Sequence, residues 1–459
     1  MHRLASRLAG WGPSLVLAVL GGALLLQRRS LWYDELFTAQ VGTSGPVALA
    51  RAVLTGEGTA SYLRDVPPSY NAPYYVVVQA WLGLTRLPAD EIGLRLLSLC
   101  AAVAGVAVLV AAVTRLAGRA AGLVGGLLAA TSPMVVEYAA EGRMYGLALL
   151  ATATAALGLA RWLDGGRLGL WAVGATAAGL AHWFAVPVVA GLALAALVLR
   201  RRRALPLVGV AAVAVLPTLA LVALVQANGT GDSAVGWIRG AGAAVPRLAV
   251  EAWTGGGAVL LVVLLLAVAA GLVRGQRTTA VVAACWVGVP LAAVTAAELL
   301  RPVFVPRYLL PALLGLAVLA AAGLVRMPRW AAVGGTCLLV ALQLVAVADV
   351  LDRGPREDAR GAVADLRERQ SPGEVVVAVD RRAALALEQY AGRLRPDVVV
   401  PPADPPAGRD VVWLLRQSSG DDVRPSDDDV VLRADGLRLQ DSRTYDGTSS
   451  DLVLQRWSR

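Results

Sequence analysis

Leu31-Trp32-Tyr33-Asp34-Glu35-Leu36-Phe37 follows an apolar run over residues 12–27, and this neighbourhood decides how the chain is read. Trp32 and Tyr33 suit the interfacial belt at the end of a membrane span. Two adjacent carboxylates beside them are read as ordinary interfacial acids or as a chemical site, and ionisable groups at a membrane favour the second reading.

Outward from this stretch the chain is 459 residues long, 57% hydrophobic and only 16% charged, with a mean hydropathy of +0.62. Such composition, with its repeated long apolar runs, belongs to a polytopic α-helical membrane protein. The net charge of +9 would suggest nucleic acid in a soluble protein. Here every basic residue apart from two histidines is arginine, and arginine placement first reports topology.

Apolar runs predict spans at about 12–27, 92–113, 121–138, 145–162, 168–184, 186–199, 204–226, 257–273, 279–298, 304–325 and 330–350, eleven in all. Residues 73–87 are apolar but short, and carry Tyr74, Tyr75 and Trp81, as an interfacial helix would. With that segment not crossing and the N-terminus inside, the inner side holds fourteen arginines against Asp164 alone. The outer segments before residue 351 hold eleven arginines and eleven acids. Making 73–87 a span would move Arg200, Arg201, Arg202 and Arg203 outside, against the positive-inside tendency. Eleven spans put the C-terminus outside.

Residues 1–350 therefore read as one membrane domain and 351–459 as a soluble extracytoplasmic α/β domain with seventeen arginines and twenty acids. Within it, helices are expected over 356–369 and 383–390, and strands over 375–379, 398–400, 411–415 and 452–455. It has no glycine-rich phosphate loop and no histidine. That favours a lid, an acceptor-docking surface or a stabiliser over a second active site. Cys100, Cys285 and Cys337 all fall in predicted spans, where free cysteine acts as a small hydrophobe. The basic then apolar N-terminus reads as a retained span instead of a cleaved signal. The sequon Asn228-Gly229-Thr230 is expected to carry no glycan, because the all-arginine, Gly- and Ala-rich composition points to a bacterium.

Four polar groups gather on the predicted outer face. The first loop contains Asp34, Glu35, Asp65, Asn71, Tyr70, Tyr74, Tyr75 and Trp81. The turn after the third span reads Glu137-Tyr138-Ala139-Ala140-Glu141-Gly142-Arg143-Met144-Tyr145. If the helix continues through it, Glu137 and Glu141 share a face at i, i+4. His182-Trp183-Phe184 ends the fifth span, and Arg301 and Arg307 flank an apolar stretch before Tyr308. Guanidinium groups bind phosphate bidentately. Taken singly, each group has a plainer reading: a solvated helix end, an interfacial histidine, or arginines on lipid headgroups.

In this order the groups resemble the C-type glycosyltransferase superfamily. Within it they are most similar to bacterial polyprenyl-phosphate-sugar transferases related to protein O-mannosyltransferases and the lipid A aminoarabinose transferase. The matching pieces are Trp32-Tyr33-Asp34-Glu35, Asn71-Ala72-Pro73-Tyr74-Tyr75, Arg95-Leu96-Leu97-Ser98, Ser132-Pro133, Glu141-Gly142-Arg143-Met144-Tyr145, His182-Trp183-Phe184 and Phe304-Val305-Pro306-Arg307-Tyr308-Leu309-Leu310-Pro311. Family members often have His-Pro-Pro-Leu-Tyr-Tyr where Asn71 stands here, and Glu-Ala-Arg-Pro-Tyr at the second motif. Glu141, Arg143 and Tyr145 survive that change.

The resemblance implies an interfacial helix in the first outer loop and inverting transfer of a sugar, of mannose or arabinose type, from a polyprenyl phosphate. The acceptor would be a hydroxyl of a cell-envelope glycan, lipid or protein at the outer face of the plasma membrane. It assigns the base to Asp34, with Glu35 as neighbour and Glu141 as second acid. Donor phosphate binding would fall to Arg143, Arg301, Arg307 and Tyr308, and substrate binding to Asn71, Tyr75, Tyr145, His182 and Trp183. A divalent metal (Mg, Mn or Zn) on Asp34 and Glu141 is a further expectation; a nucleotide cofactor is not. The rival reading is a transporter or flippase of an anionic polyprenyl lipid. No internal repeat supports it, and the acids lie at one face instead of the midplane. A membrane-anchored scaffold is a third reading, which leaves Asp34 and Glu141 unexplained.

Overall fold

The structure is a computed structural model that describes residues 2–228, 238, 240–392, 398–399, 409–418 and 432–459. Gly229, Thr230, Asp232 and Val400, which figure in the sequence reading, lie outside the described residues. The chain divides into two compact units, residues 1–26 with 95–352, and residues 27–94 with 353–459. The first loop thus groups with the C-terminal segment, a division that differs from the sequence boundary at 350/351.

The first unit is helical. Its elements are α1 (His2–Leu26), α5 (Glu91–Ala117, which begins in the other unit), α6 (Arg119–Ala130), α7 (Pro133–Ala139), α8 (Tyr145–Leu163), α9 (Gly169–Ala181), α10 (Val186–Arg200), α11 (Leu205–Ala227), α12 (Val245–Trp253), α13 (Ala258–Arg274), α14 (Arg277–Leu300), α15 (Leu310–Leu324) and α16 (Arg329–Asp352). Every apolar run named above is helical along most of its length. Among the described residues, six helices are long and apolar enough to cross a membrane, or up to eight if each of two bent pairs counts as one.

All fifteen residues of α15 are buried, and α6, α8, α13, α14 and α16 pack around it. Close approach of backbones makes this possible. A Cβ on Gly271 of α13 would lie 2.0 Å from the Leu319 carbonyl oxygen of α15, so only glycine permits that crossing. Large apolar side chains such as Val213, Leu266 and Val345 point outward, as on a lipid-facing surface.

Two departures from the expected spans have local causes. The run 121–138 is broken into α6 and α7, bent by 66°. Ser132 precedes Pro133 and is extended, at φ −61° and ψ 127°, because the proline ring disfavours the helical conformation in the residue before it. The helix α12 was not expected from the apolar runs, since it is amphipathic and short. It meets α13 at a bend of 103°.

The second unit contains α2 (Tyr33–Thr43), α3 (Pro46–Thr55) and α4 (Ala72–Thr85) from the first loop, and α17 (Ala359–Arg369) and α18 (Arg381–Tyr390) from the C-terminal segment. The fourteen residues of α4 span about 21 Å, short of the ~30 Å of a hydrocarbon core. Strands β1 (Val375–Ala378), β2 (Val398–Val399), β3 (Val411–Ser418), β4 (Arg438–Tyr445) and β5 (Asp451–Ser458) form one sheet in the order β2-β1-β3-β5-β4. β1 runs parallel to β2 and β3, while β5 is antiparallel to β3 and β4. Its core is Val375, Val377, Val412, Leu414, Leu432, Leu437 and Trp457. The sequence reading missed β4, an edge strand of mostly polar, exposed residues that is held through its backbone to β5.

Candidate active site

In the helical unit, the chain leaves α7 at Ala139 and turns through residues 140–144 before α8 starts at Tyr145. Glu141 therefore lies beyond the helix, and the i, i+4 relation with Glu137 expected from sequence does not hold. The turn closes on itself, with the Arg143 N–H donating to the Glu141 carbonyl at 2.7 Å. Glu141 and Arg143 are buried, 5% and 2% exposed.

Around this turn stands a group of rings. Tyr145 packs edge-on against Tyr138 at 5.1 Å between centroids and lies 5.7 Å from His182. His182 lies 5.3 Å from Tyr308, and Phe184 lies 4.9 Å from Tyr308. The Arg307 guanidinium sits 5.8 Å from the Tyr308 ring. Charges of Arg143 and Arg307 both act on Tyr145 and His182, and Glu141 acts on Tyr145. His182 is fixed in one tautomer: its Nδ1 accepts the Phe184 N–H at 3.2 Å, which leaves the proton on Nε2.

Glu141, Arg143, Tyr145, His182, Arg307 and Tyr308, named from sequence, thus come together. Phe184 joins them as a residue the sequence reading quoted without giving it a role. Trp183 is only partly buried and, among the described residues, enters none of these ring contacts. Arg301 is exposed at the C-cap of α14, six residues before Arg307. The loop carrying Arg307 is held by a residue without a role in the sequence reading. Glu298 is 5% exposed and accepts the N–H groups of Ala241 at 2.6 Å and of Val303 and Phe304 at 2.7 Å. A cavity of about 480 Å³ opens beside it, lined by Leu248, Glu251, Ala252, Phe304 and Pro306 among others.

In the other unit, Asp34 and Glu35 occupy the first turn of α2. Successive helical residues diverge by about 100°, and the burial follows: Glu35 is 1% exposed whereas Asp34 is half-buried. The Thr38 hydroxyl donates to the Asp34 carbonyl at 2.8 Å and steadies this turn. Burial, then the nearby Asp34 charge, pushes the Tyr33 hydroxyl up to about 12. Burial likewise raises the Glu357 carboxyl, against the pull of Arg382. Asn71 is buried at the N-cap of α4, and Tyr75 is fully buried, its ring 5.9 Å from Phe37 and edge-on to it. Tyr75 is thereby a packing residue between α2 and α4.

Among the described residues no three His, Cys, Asp or Glu side chains group as a metal cage would require. Asp34 and Glu141, the metal ligands expected from sequence, belong to different units; each carboxylate suits a hard cation such as Mg²⁺ in kind.

No family model matches the chain, and no curated protein matches it in sequence. Solved structures do match in shape. ArnT from Cupriavidus metallidurans in the apo state covers 96% of this chain and 97% of its own at 16% identity, with a TM-score of 0.58. The same protein bound to undecaprenyl phosphate matches over the same shares at 15% identity and a TM-score of 0.57. The chain has the C-type glycosyltransferase fold. The oligosaccharyltransferase AglB from Archaeoglobus fulgidus, solved with an inhibitory peptide and a dolichol-phosphate, shares this fold at 10% identity and a TM-score of 0.53. It covers 86% of this chain and 64% of its own. The C-type glycosyltransferase fold is the one the sequence resemblance implied, and the small C-terminal sheet agrees with the α/β pattern read in that segment.

Proposed function

We propose that this protein is a multi-pass membrane glycosyltransferase that moves a sugar from a polyprenyl-phosphate donor to an acceptor hydroxyl with inversion. The observation that carries the reading is the convergence of Glu141, Arg143, Tyr145, His182, Arg307 and Tyr308 in a chain with the fold of ArnT, a protein solved with undecaprenyl phosphate bound.

In this mechanism the acceptor oxygen attacks the anomeric carbon as the bond from that carbon to the phosphate oxygen breaks. The leaving phosphate keeps the bonding electrons, and Arg143 and Arg307 stabilise the charge that grows on it. Asp34 takes the acceptor's proton. Glu141 orients the acceptor, and Nε2–H of the fixed His182 tautomer is a donor for a sugar or phosphate oxygen. A divalent cation, were one bound, would draw on the carboxylates of Asp34 and Glu141 and would supply positive charge to the leaving phosphate. Activity lost with EDTA and restored by Mg²⁺ or Mn²⁺ supports that ion; activity indifferent to EDTA removes it.

Sidedness belongs to the same proposal, with the N-terminus cytoplasmic and the C-terminal segment outside. A reporter active only on the exported side should work after Arg459 and stay silent after Arg203, and the reverse pattern overturns every role above. The deciding assay is reconstitution with radiolabelled polyprenyl-phosphate sugars and a cell-envelope acceptor extract. Label should pass to the acceptor. Movement of intact labelled lipid between leaflets without sugar transfer would make the protein a flippase.

A further inference from the structure

Helix α2 begins without a local cap. Trp32 at its N-cap makes no side-chain cap bond, although the first turn of any helix leaves N–H groups in need of acceptors. The acceptors come from the far end of the chain, within the same compact unit. The Tyr33 N–H donates to Glu357 Oε2 at 2.9 Å, and the Leu31 N–H donates to the Tyr390 hydroxyl at 2.9 Å. That hydroxyl in turn donates a hydrogen bond to Glu91 Oε1 at 2.6 Å. The Arg360 N–H donates to the Ser30 hydroxyl at 3.0 Å.

The rings of Trp32 and Tyr33 are also met by arginines of the C-terminal segment. Arg382 lies 4.7 Å from the Tyr33 ring and pairs with Glu357, while Arg356 lies 4.7 Å from the Trp32 ring. Glu357 is 1% exposed and also accepts the Ser450 hydroxyl at 3.0 Å.

A buried ion pair adds little net stability over a well-packed apolar replacement. What it adds here is direction. A carboxylate at a helix N-terminus complements the dipole, and fixing the N–H groups of Leu31 and Tyr33 fixes the backbone immediately before Asp34. Displacement of a reacting group by about 1 Å costs on the order of 10²-fold in rate.

We propose that Glu357 and Tyr390 are positioning residues that hold the start of α2, and with it the Asp34 carboxylate, in register for sugar transfer. The inference rests on the proposed function for its kinetic arm, and its structural arm is independent of that reading.

The test compares full-length Glu357→Leu, Glu357→Gln and Tyr390→Phe with wild type by transfer kinetics and by hydrogen exchange of a peptide spanning 31–37. Arg369→Gln is the control, because Arg369 is paired with Asp365 and Asp441 elsewhere in the same unit. Glu357→Leu should lose roughly 10²-fold in kcat with KM for the donor changed by less than about 3-fold, and should exchange faster at 31–37. Tyr390→Phe should do the same to a smaller degree. Glu357→Gln, whose amide oxygen still accepts the Tyr33 N–H, should recover at least about tenfold of that kcat loss. Arg369→Gln should keep the wild-type kcat. Wild-type kcat in Glu357→Leu and Tyr390→Phe, a loss expressed only in KM, or an equal loss in Arg369→Gln would overturn the proposal. A wild-type protein that transfers no sugar would defeat the proposed function, and unchanged exchange at 31–37 in the variants would then still defeat the clamp.

Discussion

Glu298 offers a test whose size follows from the geometry. It lies in the last turn of α14, where the helix dipole disfavours a negative charge, and is tolerated there because three backbone N–H groups converge on it. Glu298→Leu strands all three. Only the Phe304 N–H is fully buried, while those of Ala241 and Val303 are partly open to water, so the cost is about 1–3 kcal/mol for Phe304 and a fraction of that for each of the others, against a total stability of about 5–15 kcal/mol for a typical domain.

Glu298→Gln is milder. Its amide oxygen can keep Val303 and Phe304, and its NH₂ then faces the Ala241 N–H donor to donor. One bond to a part-buried N–H is lost, about 1 kcal/mol, or roughly 2–4 °C in Tm. The assay is thermal unfolding of the detergent-purified protein, paired with undecaprenyl phosphate binding, because this loop leads into Arg307. The expected order of Tm is wild type, Gln, Leu, with binding weakened in the Leu variant. A Leu variant that melts within about 1 °C of wild type and binds the lipid phosphate unchanged refutes the reasoning.

Two further predictions concern charge. Arg307→Lys should weaken undecaprenyl phosphate binding about tenfold or more, since an ammonium cannot reproduce a bidentate guanidinium, and calorimetry that finds equal affinity would remove Arg307 from the phosphate site. In the C-terminal sheet, the hydrogen bond and charge of Arg369, opposed by a little burial, hold the Asp441 carboxyl below its usual range. A depressed carboxyl contributes stability above its unfolded value of about 3.9 and loses it as pH falls further. Tm should therefore fall more steeply below pH ~4 in wild type than in Asp441→Asn, and parallel curves would contradict this.

Much of the fold was legible because burial in a membrane and burial in a bundle leave the same mark, a long apolar run. The break at Ser132-Pro133 was also written in the sequence, and was missed because the run was read for hydropathy without the constraint that proline imposes. Neither α12 nor β4 left such a mark. One is short and amphipathic, and the other is an exposed edge whose pairing resides in its backbone. In the site, Arg143, Tyr145, His182 and Arg307 were visible as polar residues among apolar ones. Glu298 and Glu357 were not distinguishable from surface acids, since their partners, backbone N–H groups for both and also Arg382 and Ser450 for Glu357, are supplied by distant or looped chain. Phe184 was hidden behind Trp183, its larger neighbour.

The account depends most on Asp34 as the proton acceptor. The direct measurement is the rate of labelled sugar transfer from a polyprenyl phosphate by reconstituted wild type and Asp34→Asn at equal donor occupancy. A positioned general base contributes about 10²–10⁴-fold, so the variant should bind donor normally and transfer at least ~10²-fold more slowly. Transfer by Asp34→Asn at the wild-type rate would contradict the account.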